Sequence, residues 1–340
     1  MGKKNIALVT GGYTGEYVIS VASAKVAEKH IDTSKYTVYK ITIDREKWVH
    51  ETPEGNEIAV DRADFTLKID GKRITFDAAL IIIHGVPGED GKLQGYFDML
   101  GIPYSGCDAA TSALTMNKRF TVAVAHFSGI KTAKSLHIFK SDPVSSTGVH
   151  DKGVHADSIE AISSQLTMPV FVKPNSGGSS IGMSRVEKVE DLAAALEKGF
   201  KEDTQLLVEQ FIKGREFTVG VMRTRSEIVV FPIIEIRALN AFFDFEAKYQ
   251  GKSEELIPAP IDENQANILR GAAQKVYQIL NCRGIVRIDF IWNDVDNQPY
   301  MLEVNTVPGQ TEASLVPQMV RHYGWTMQEF YSRQLEEVIG

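Results

Sequence analysis

Ile6-Ala7-Leu8-Val9-Thr10-Gly11-Gly12 is a short apolar run stopped by two glycines, and Val18–His30 follows with helical spacing. Tyr36–Ile43 reads as a second strand and Ala78–Ile83 as a third. Strand, glycine turn, helix and strand together open a parallel α/β unit. Sheets of this kind place ligands beyond the carboxyl ends of their strands. The stretches after the first and third strands, Gly11–Glu16 and His84–Gly95, are therefore candidate site loops.

The rest of the chain bounds the reading. Its 340 residues predict two or three domains at ~100–200 residues each. With 43% hydrophobic and 24% charged residues, the composition excludes a disordered or fibrous protein. A net charge of −7 argues against a broad nucleic-acid surface, which needs a basic surplus, and at first sight against any polyanionic ligand. The start lacks the ~7–15-residue apolar core of a signal peptide, and no run reaches the ~18 apolar residues of a membrane span. Cys107 and Cys282 form no metal or disulfide pattern. The expectation is a cytoplasmic protein with no membrane or nucleic-acid partner.

A different region begins near Asn117. Strands are expected at Leu136–Lys140, Pro169–Lys173, Leu206–Phe211, Glu216–Met222 and Ile228–Ile236, and helices at Val189–Gly199 and Asn264–Leu280. Residues 141–157 are aperiodic and read as a surface loop. Gly284–Trp292 and Pro299–Asn305 form a strand pair, and Leu315–Tyr323 and Thr326–Ile339 are closing helices.

The strand pair is the most informative. The run between its strands, Asn293 to Gln298, is rich in turn residues, so the two should form a hairpin. A turn centred near Asp296 sets Asp289 opposite Glu303 and Arg287 opposite Asn305. Alternation then puts those four on one face and Ile288, Phe290, Leu302 and Val304 on the other. Two acids directly opposite each other repel unless a cation intervenes. Oxygen ligands of this kind suit magnesium, which is commonly bound by one or two carboxylates together with substrate phosphates.

A second feature is Pro169-Val170-Phe171-Val172-Lys173 followed by a loop through Met183. The loop carries Gly177, Gly178 and Gly182 with the hydroxyls of Ser176, Ser179 and Ser180. Glycines let backbone N–H groups wrap an anion, and Lys173 adds positive charge. Beyond it, Val208–Ile212 reads as a strand whose backbone could pair with an adenine edge, with Glu209 and Glu216 suited to amino and ribose hydroxyl groups.

Together these pieces resemble the ATP-grasp enzymes, and within them the D-alanine–D-alanine ligases. The resemblance is carried by His84-Gly85, Gly88–Gly95, Ala113–Lys118, Val172-Lys173-Pro174, Gly178–Met183, Glu216–Val219, Asp244–Tyr249, Arg287-Ile288-Asp289, Glu303–Thr306, Pro308-Gly309 and Ser314–Pro317, in family order over nearly the whole chain. It implies an α/β, three-domain ATP-grasp architecture with an N-terminal parallel-sheet domain: residues 1–116, 117–208 and 209–340. It implies a homodimer that joins two D-alanines with ATP through an acyl phosphate, releasing ADP and phosphate, for peptidoglycan precursors. An ATP-grasp carboxylate–amine ligase with another first substrate is the alternative.

The resemblance also implies roles. Lys118, Lys173 and Lys248 would hold ATP phosphates, with Ser180 in the same loop. Glu209 and Ile212 would meet adenine and Glu216 the ribose. Asp289, Glu303 and Asn305 would ligate two Mg2+ (or Mn2+) ions. Arg287 and the Gly309 N–H would stabilise the tetrahedral oxyanion. Ser179 and Tyr249 would position substrate, and Tyr249 favours an amine nucleophile. Ser314 and Leu315 would take the carboxylate of the second D-alanine. His84 would lie near the first substrate or make a structural hydrogen bond.

The pattern departs at Val18, where relatives carry a glutamate that grips the amino group of the first D-alanine. Glu16 lies two residues earlier. Either Glu16 takes over or the first-substrate contact differs. Gly177, where relatives often carry an acid, and the insertion at 141–157 are lesser departures.

Overall fold

The computed structural model describes residues 2–140, 156–178, 181–238 and 253–339. The chain begins with β1 (Lys4–Gly11), α1 (Tyr17–His30), β2 (Tyr36–Ile43), β3 (Trp48–Glu51), β4 (Glu57–Ala59), β5 (Leu67–Ile69), β6 (Lys72–Ile74), β7 (Ala78–Ile81), α2 (Lys92–Leu100), α3 (Ala109–Met116) and α4 (Lys118–Phe127). The middle comprises β8 (Ser135–Phe139), α5 (Ala156–Gln165), β9 (Val170–Pro174), β10 (Ser184–Val186), α6 (Leu192–Gly199) and β11 (Gln205–Gln210). The last part holds β12 (Gly214–Arg223), β13 (Ile228–Val230), β14 (Ile234–Ala238), β15 (Ser253–Leu256), α7 (Glu263–Ile279), β16 (Ile285–Asn293), β17 (Gln298–Asn305), α8 (Leu315–Tyr323) and α9 (Met327–Ile339).

Three sheets organise these elements. The first runs β4-β3-β2-β1-β7, with β1 parallel to both β2 and β7. β1 is buried on both faces, which is why its sequence reads as a continuous apolar run. It ends at Gly11, whose φ is +99° and where a side chain would sit 2.3 Å from the Ile43 carbonyl oxygen. Only glycine turns the chain there and releases it into the first site loop.

The second sheet, β10-β9-β11-β8, is antiparallel, and its pairing runs on to Gln210, past the expected division at 208/209. The third runs β15-β14-β12-β16-β17, with β13 also on β12. The single strand expected over Ile228–Ile236 is two: β13 pairs with Val221–Arg223 and β14 with Glu216–Thr218. Pro232, which has no N–H for a ladder, lies between them.

The hairpin β16–β17 has the expected register at Arg287↔Asn305, Ile288↔Val304 and Asp289↔Glu303. A bulge then intervenes, and Phe290 faces Met301 instead of Leu302. Met301 is 2% exposed and joins the core, while Leu302 stays half-buried outside it. The extra residue reverses the alternation beyond Asp289, so the expectation for Leu302 is corrected. The apolar face packs on α7, whose Ala266, Leu269, Ala273, Val276 and Tyr277 form one stripe against Phe217, Val219, Ile288 and Phe290.

The ends of the chain share a core. Ile6, Leu8, Leu80 and Ile82 of the first sheet region pack with Ala24 and Ala27 of α1 and with Met327, Phe330, Tyr331 and Leu335 of α9. The C-terminal helix thus closes the N-terminal sheet and docks the third sheet's region against it. A buried link on the third sheet is Tyr277, whose hydroxyl donates to Gly284 O (2.7 Å) and accepts from Arg223 N (3.0 Å). Tyr277→Phe leaves both partners unpaired and should lower stability by about 1–3 kcal/mol. A denaturation midpoint equal to that of the wild type would contradict this.

Candidate active site

The cleft lies where the three sheets meet. Its main chamber, about 350 Å3, is walled by the 84–89 loop, the polar face of β16–β17 and the segment 306–315. A second chamber of about 490 Å3 adjoins it beside Lys118, Lys173 and Gly177.

The hairpin supplies the polar floor. Arg287 donates from Nε to Asp289 Oδ1 (3.0 Å) and from Nη2 to Oδ2 (2.8 Å). Thr218 Oγ1 donates to Asp289 Oδ1 at 2.5 Å and Asn305 Nδ2 to Oδ2 at 3.2 Å. Glu303 lies 3.9 Å from Arg287 Nη2. Burial works against the guanidinium charge, but Asp289 and then Glu303 outweigh it and raise the Arg287 pKa. Arg287 therefore relieves the repulsion between the two acids in the chain itself. Among the described residues no group of three or more His, Cys, Asp or Glu could hold a metal. The face instead offers two carboxylates and the Asn305 carboxamide, an oxygen set that fits a hard cation.

The cationic wall is built from β9 and α4. Lys173, at the end of β9, pairs with Glu209 of β11 at 2.5 Å. Burial opposes its charge, but Glu209 first, then Glu303 and Glu216, hold the ammonium above its ordinary pKa. Lys118 begins α4, which Asn117 caps by accepting from Phe120 N. The loop after β9 fixes that helix start, since Lys118 N donates to Asn175 O and Arg119 N to Asn175 Oδ1, both at 3.0 Å. Lys118 Nζ then reaches Gly177 O at 2.6 Å. Glu216 lines the main chamber, and Ile212 is half-buried in the β11–β12 turn.

In the first loop, Glu16 and not Val18 lines the main chamber. Glu16 lines both chambers and reaches Gly85 and Gly178. Val18 is 66% exposed and borders only the second chamber. Glu89, which has no counterpart among the sequence expectations, lines the cleft and accepts from Gly85 N (2.8 Å) and Val307 N (3.0 Å). Burial, then the charge of Glu16, pushes its pKa up to about 7. His84 is 5% exposed, and both ring nitrogens are engaged within the protein, Nδ1 with Val307 O (2.7 Å) and Nε2 with Ser23 Oγ (3.0 Å). Those bonds make the structural one of its two expected roles concrete.

Gly309, Ser314 and Leu315 form the far wall. A side chain on Gly309 would meet Ser314 Oγ at 2.9 Å. Ser314 precedes α8, and its hydroxyl accepts from Thr311 N at 3.0 Å. The structure thus brings Glu16, Lys118, Arg287, Asp289, Glu303, Asn305, Gly309, Ser314 and Leu315 to one chamber. Ser179, Ser180, Lys248 and Tyr249 lie outside the described residues, as does most of the 141–157 loop. Thr218 and Glu89 are the residues that sequence reasoning missed. Glu89 carried one signal, an acid inside a glycine-rich loop after a buried strand.

A cleft between two antiparallel sheets, with lysines on one side and an arginine–carboxylate hairpin on the other, defines a ligase of the ATP-grasp class. Residues 5–107 match the family model for the D-ala D-ala ligase N-terminus and residues 138–336 that for its C-terminus. The chain belongs to the D-alanine–D-alanine ligase family. It is 41% identical to the D-alanine–D-alanine ligase of Flavobacterium johnsoniae and 39% identical to that of Parabacteroides distasonis, over 98% of this chain and 98% and 97% of theirs. Among solved structures, it superposes on the VanG D-Ala:D-Ser ligase from Enterococcus faecalis (TM-score 0.84, 30% identity, 98% of this chain and 99% of that one). It also superposes on D-alanyl-alanine synthetase A from Vibrio cholerae (TM-score 0.85, 27% identity, 100% and 99%). A D-alanine–D-alanine ligase from Bacillus anthracis, solved with ATP, is a further match (TM-score 0.74, 26% identity, 98% and 97%).

Two buried groups give the site a testable pH signature. Burial pushes His84 down from 6.5 to about 4, so its neutral form stabilises the fold above 6.5 and that stability is lost as pH falls through about 4. Glu89 rises from 4.5 to about 7, so its contribution is complete below 4.5 and is lost as pH rises through about 7. Thermal unfolding across this range should show the wild type losing stability relative to His84→Asn on acidification, and relative to Glu89→Gln on neutralisation. Curves that stay parallel for either pair would overturn the assignment for that residue.

Proposed function

We propose that this chain joins two D-alanines to D-alanyl-D-alanine, with ATP converted to ADP and phosphate through an acyl phosphate, for peptidoglycan precursor synthesis. The observation that carries it is the β16–β17 face, where Arg287, Asp289, Glu303 and Asn305 meet Lys118 and Glu16 in one cleft. Lys118 and Lys173, with Lys248, hold the phosphates, and Ser180 contributes from the loop after β9. Glu209 and Ile212 take the adenine and Glu216 the ribose.

The ammonium of the first D-alanine pairs with Glu16, and its carboxylate takes the transferred phosphoryl group. The second D-alanine places its carboxylate on Ser314 and the N-terminus of α8 at Leu315, a natural anion site. Its amine attacks the acyl carbon, and phosphate leaves. Arg287 and the Gly309 N–H stabilise the tetrahedral oxyanion. Ser179 and Tyr249 position substrate through hydrogen bonds. Asp289, Glu303 and Asn305 would hold two Mg2+ (or Mn2+), which neutralise phosphate charge when bound. His84 supports the first-substrate loop. On this reading the chain has three domains, expected at 1–116, 117–208 and 209–340 with β11 carrying the second to Gln210, and the protein works as a cytoplasmic homodimer. Among the described residues no helix is long and apolar enough to cross a membrane.

Purified protein with ATP, magnesium and D-alanine should release phosphate well above a control without amino acid, and no excess release would refute the reading. Chelation should abolish turnover, and added magnesium should restore it. Glu303→Ala should lower kcat by about 100-fold or more while the protein stays folded. A retained wild-type rate would misplace the metal face.

The exposed Val18 beside Glu16 supports a second reading, a ligase whose first substrate is not D-alanine. A panel of amino acids scored by phosphate release separates the two, with D-alanine ranking first if the main reading holds. Glu16→Ala should raise the D-alanine KM by about tenfold or more, the worth of one charged hydrogen bond. An unchanged KM would remove Glu16 from the first subsite.

A further inference from the structure

The segment Val307-Pro308-Gly309-Gln310 leaves β17 and crosses the cleft before α8. It is held from the other end of the chain. Val307 N donates to Glu89 Oε1 at 3.0 Å, and Val307 O lies 2.7 Å from His84 Nδ1. Gln310 N donates to Ser23 Oγ at 3.1 Å. Ser23 Oγ lies 3.0 Å from His84 Nε2, and Ser20 Oγ accepts from His84 N at 3.0 Å. Ser20 and Ser23 are completely buried, one turn apart on α1, and Gln310 is 1% exposed.

These bonds define one proton order. Gln310 N–H donates to Ser23, the Ser23 hydroxyl donates to Nε2, and Nδ1–H donates to Val307 O. The order requires a neutral imidazole, and burial keeps His84 neutral near pH 7. Its effect on the backbone is selective. The Val307 and Gln310 N–H groups are consumed and Pro308 has none, so of these four residues Gly309 alone keeps an N–H without an acceptor among the described residues. That amide lies in the cleft wall, between two anchored neighbours.

We propose that Ser23, His84 and Glu89 are positioning residues which fix the Pro308-Gly309 segment from both sides and aim the Gly309 N–H at the reacting carbonyl. The proposal rests on the reading of Gly309 as an oxyanion donor. The network lies in the N-terminal sheet region and the segment in the C-terminal one, so it also couples the packing of the two ends of the chain to the chemistry. The expected size of the effect follows from geometry, because a displacement of ~1 Å at a reacting centre can cost ~100-fold in rate.

The test uses Ser23→Ala, Glu89→Gln, His84→Ala and His84→Asn in the full chain. In His84→Asn the side-chain amide can still donate to Val307 O. Two quantities are read: amide hydrogen exchange in the peptide spanning 306–311, and kcat with KM for ATP. The expected result is faster exchange confined to that peptide, a kcat lowered about tenfold or more and an ATP KM within about twofold, with His84→Asn recovering much of what His84→Ala loses. A lowered kcat with unchanged exchange would overturn the proposal, because the residues would then act on substrate directly. Unchanged exchange and unchanged kcat would overturn it outright. Faster exchange with an unchanged kcat would overturn the catalytic part and, with it, the oxyanion role of Gly309. If the wild type releases no phosphate with D-alanine, the ligase reading fails by itself, and the exchange data still decide whether the network holds the segment. Ser23→Ala removes one oxygen only, so it keeps the test open should a His84 variant fail to fold.

Discussion

The pairing of Arg287 with Asp289 on one strand of the third sheet is the constraint around which the site is built. Both lie on the polar face of β16, whose other face is the core under α7. Charges this deep persist only when their hydrogen-bonding capacity is met. Here Arg287, Thr218 and Asn305 together satisfy Asp289, and Arg287 also faces Glu303. The result is a rigid floor bearing opposite charges at known positions. In the proposed reaction, phosphate, metal and oxyanion chemistry all draw on that floor.

The walls around it come from distant parts of the chain. Lys118 is fixed by Asn175, Lys173 by Glu209, and the 307–310 segment by the side chains of Ser23, His84 and Glu89. This convergence is possible because α9 and β1 share a core. A net charge of −7 is therefore no guide to the cleft. Lys118, Lys173 and Arg287 line it together with Glu16, Glu89, Asp289 and Glu303, so both signs of charge meet there whatever the chain's total.

Much of this was legible before any coordinates. The alternation in Arg287-Ile288-Asp289 and Glu303-Val304-Asn305 placed the polar residues on one face, and the turn between the strands placed their register. Leu302 shows where the reading stopped, since a bulge costs one residue and leaves no compositional mark. Glu16 and Val18 show a second limit. Their spacing left two alternatives, and the direction of the first helical turn chose Glu16 as the side chain facing the main chamber.

By itself the sequence determined the α/β class, most strands and helices, the carboxylate face and the cationic loop, because each depends on local periodicity or on residues close in the chain. Tertiary structure alone decided the bulge, the partners of Glu89 and His84, and the union of α9 with the first sheet. Several of these, such as His84 with Val307, join residues more than two hundred positions apart. No local pattern encodes them, because their energy comes from burial and hydrogen bonding that exist only after the chain has closed on itself.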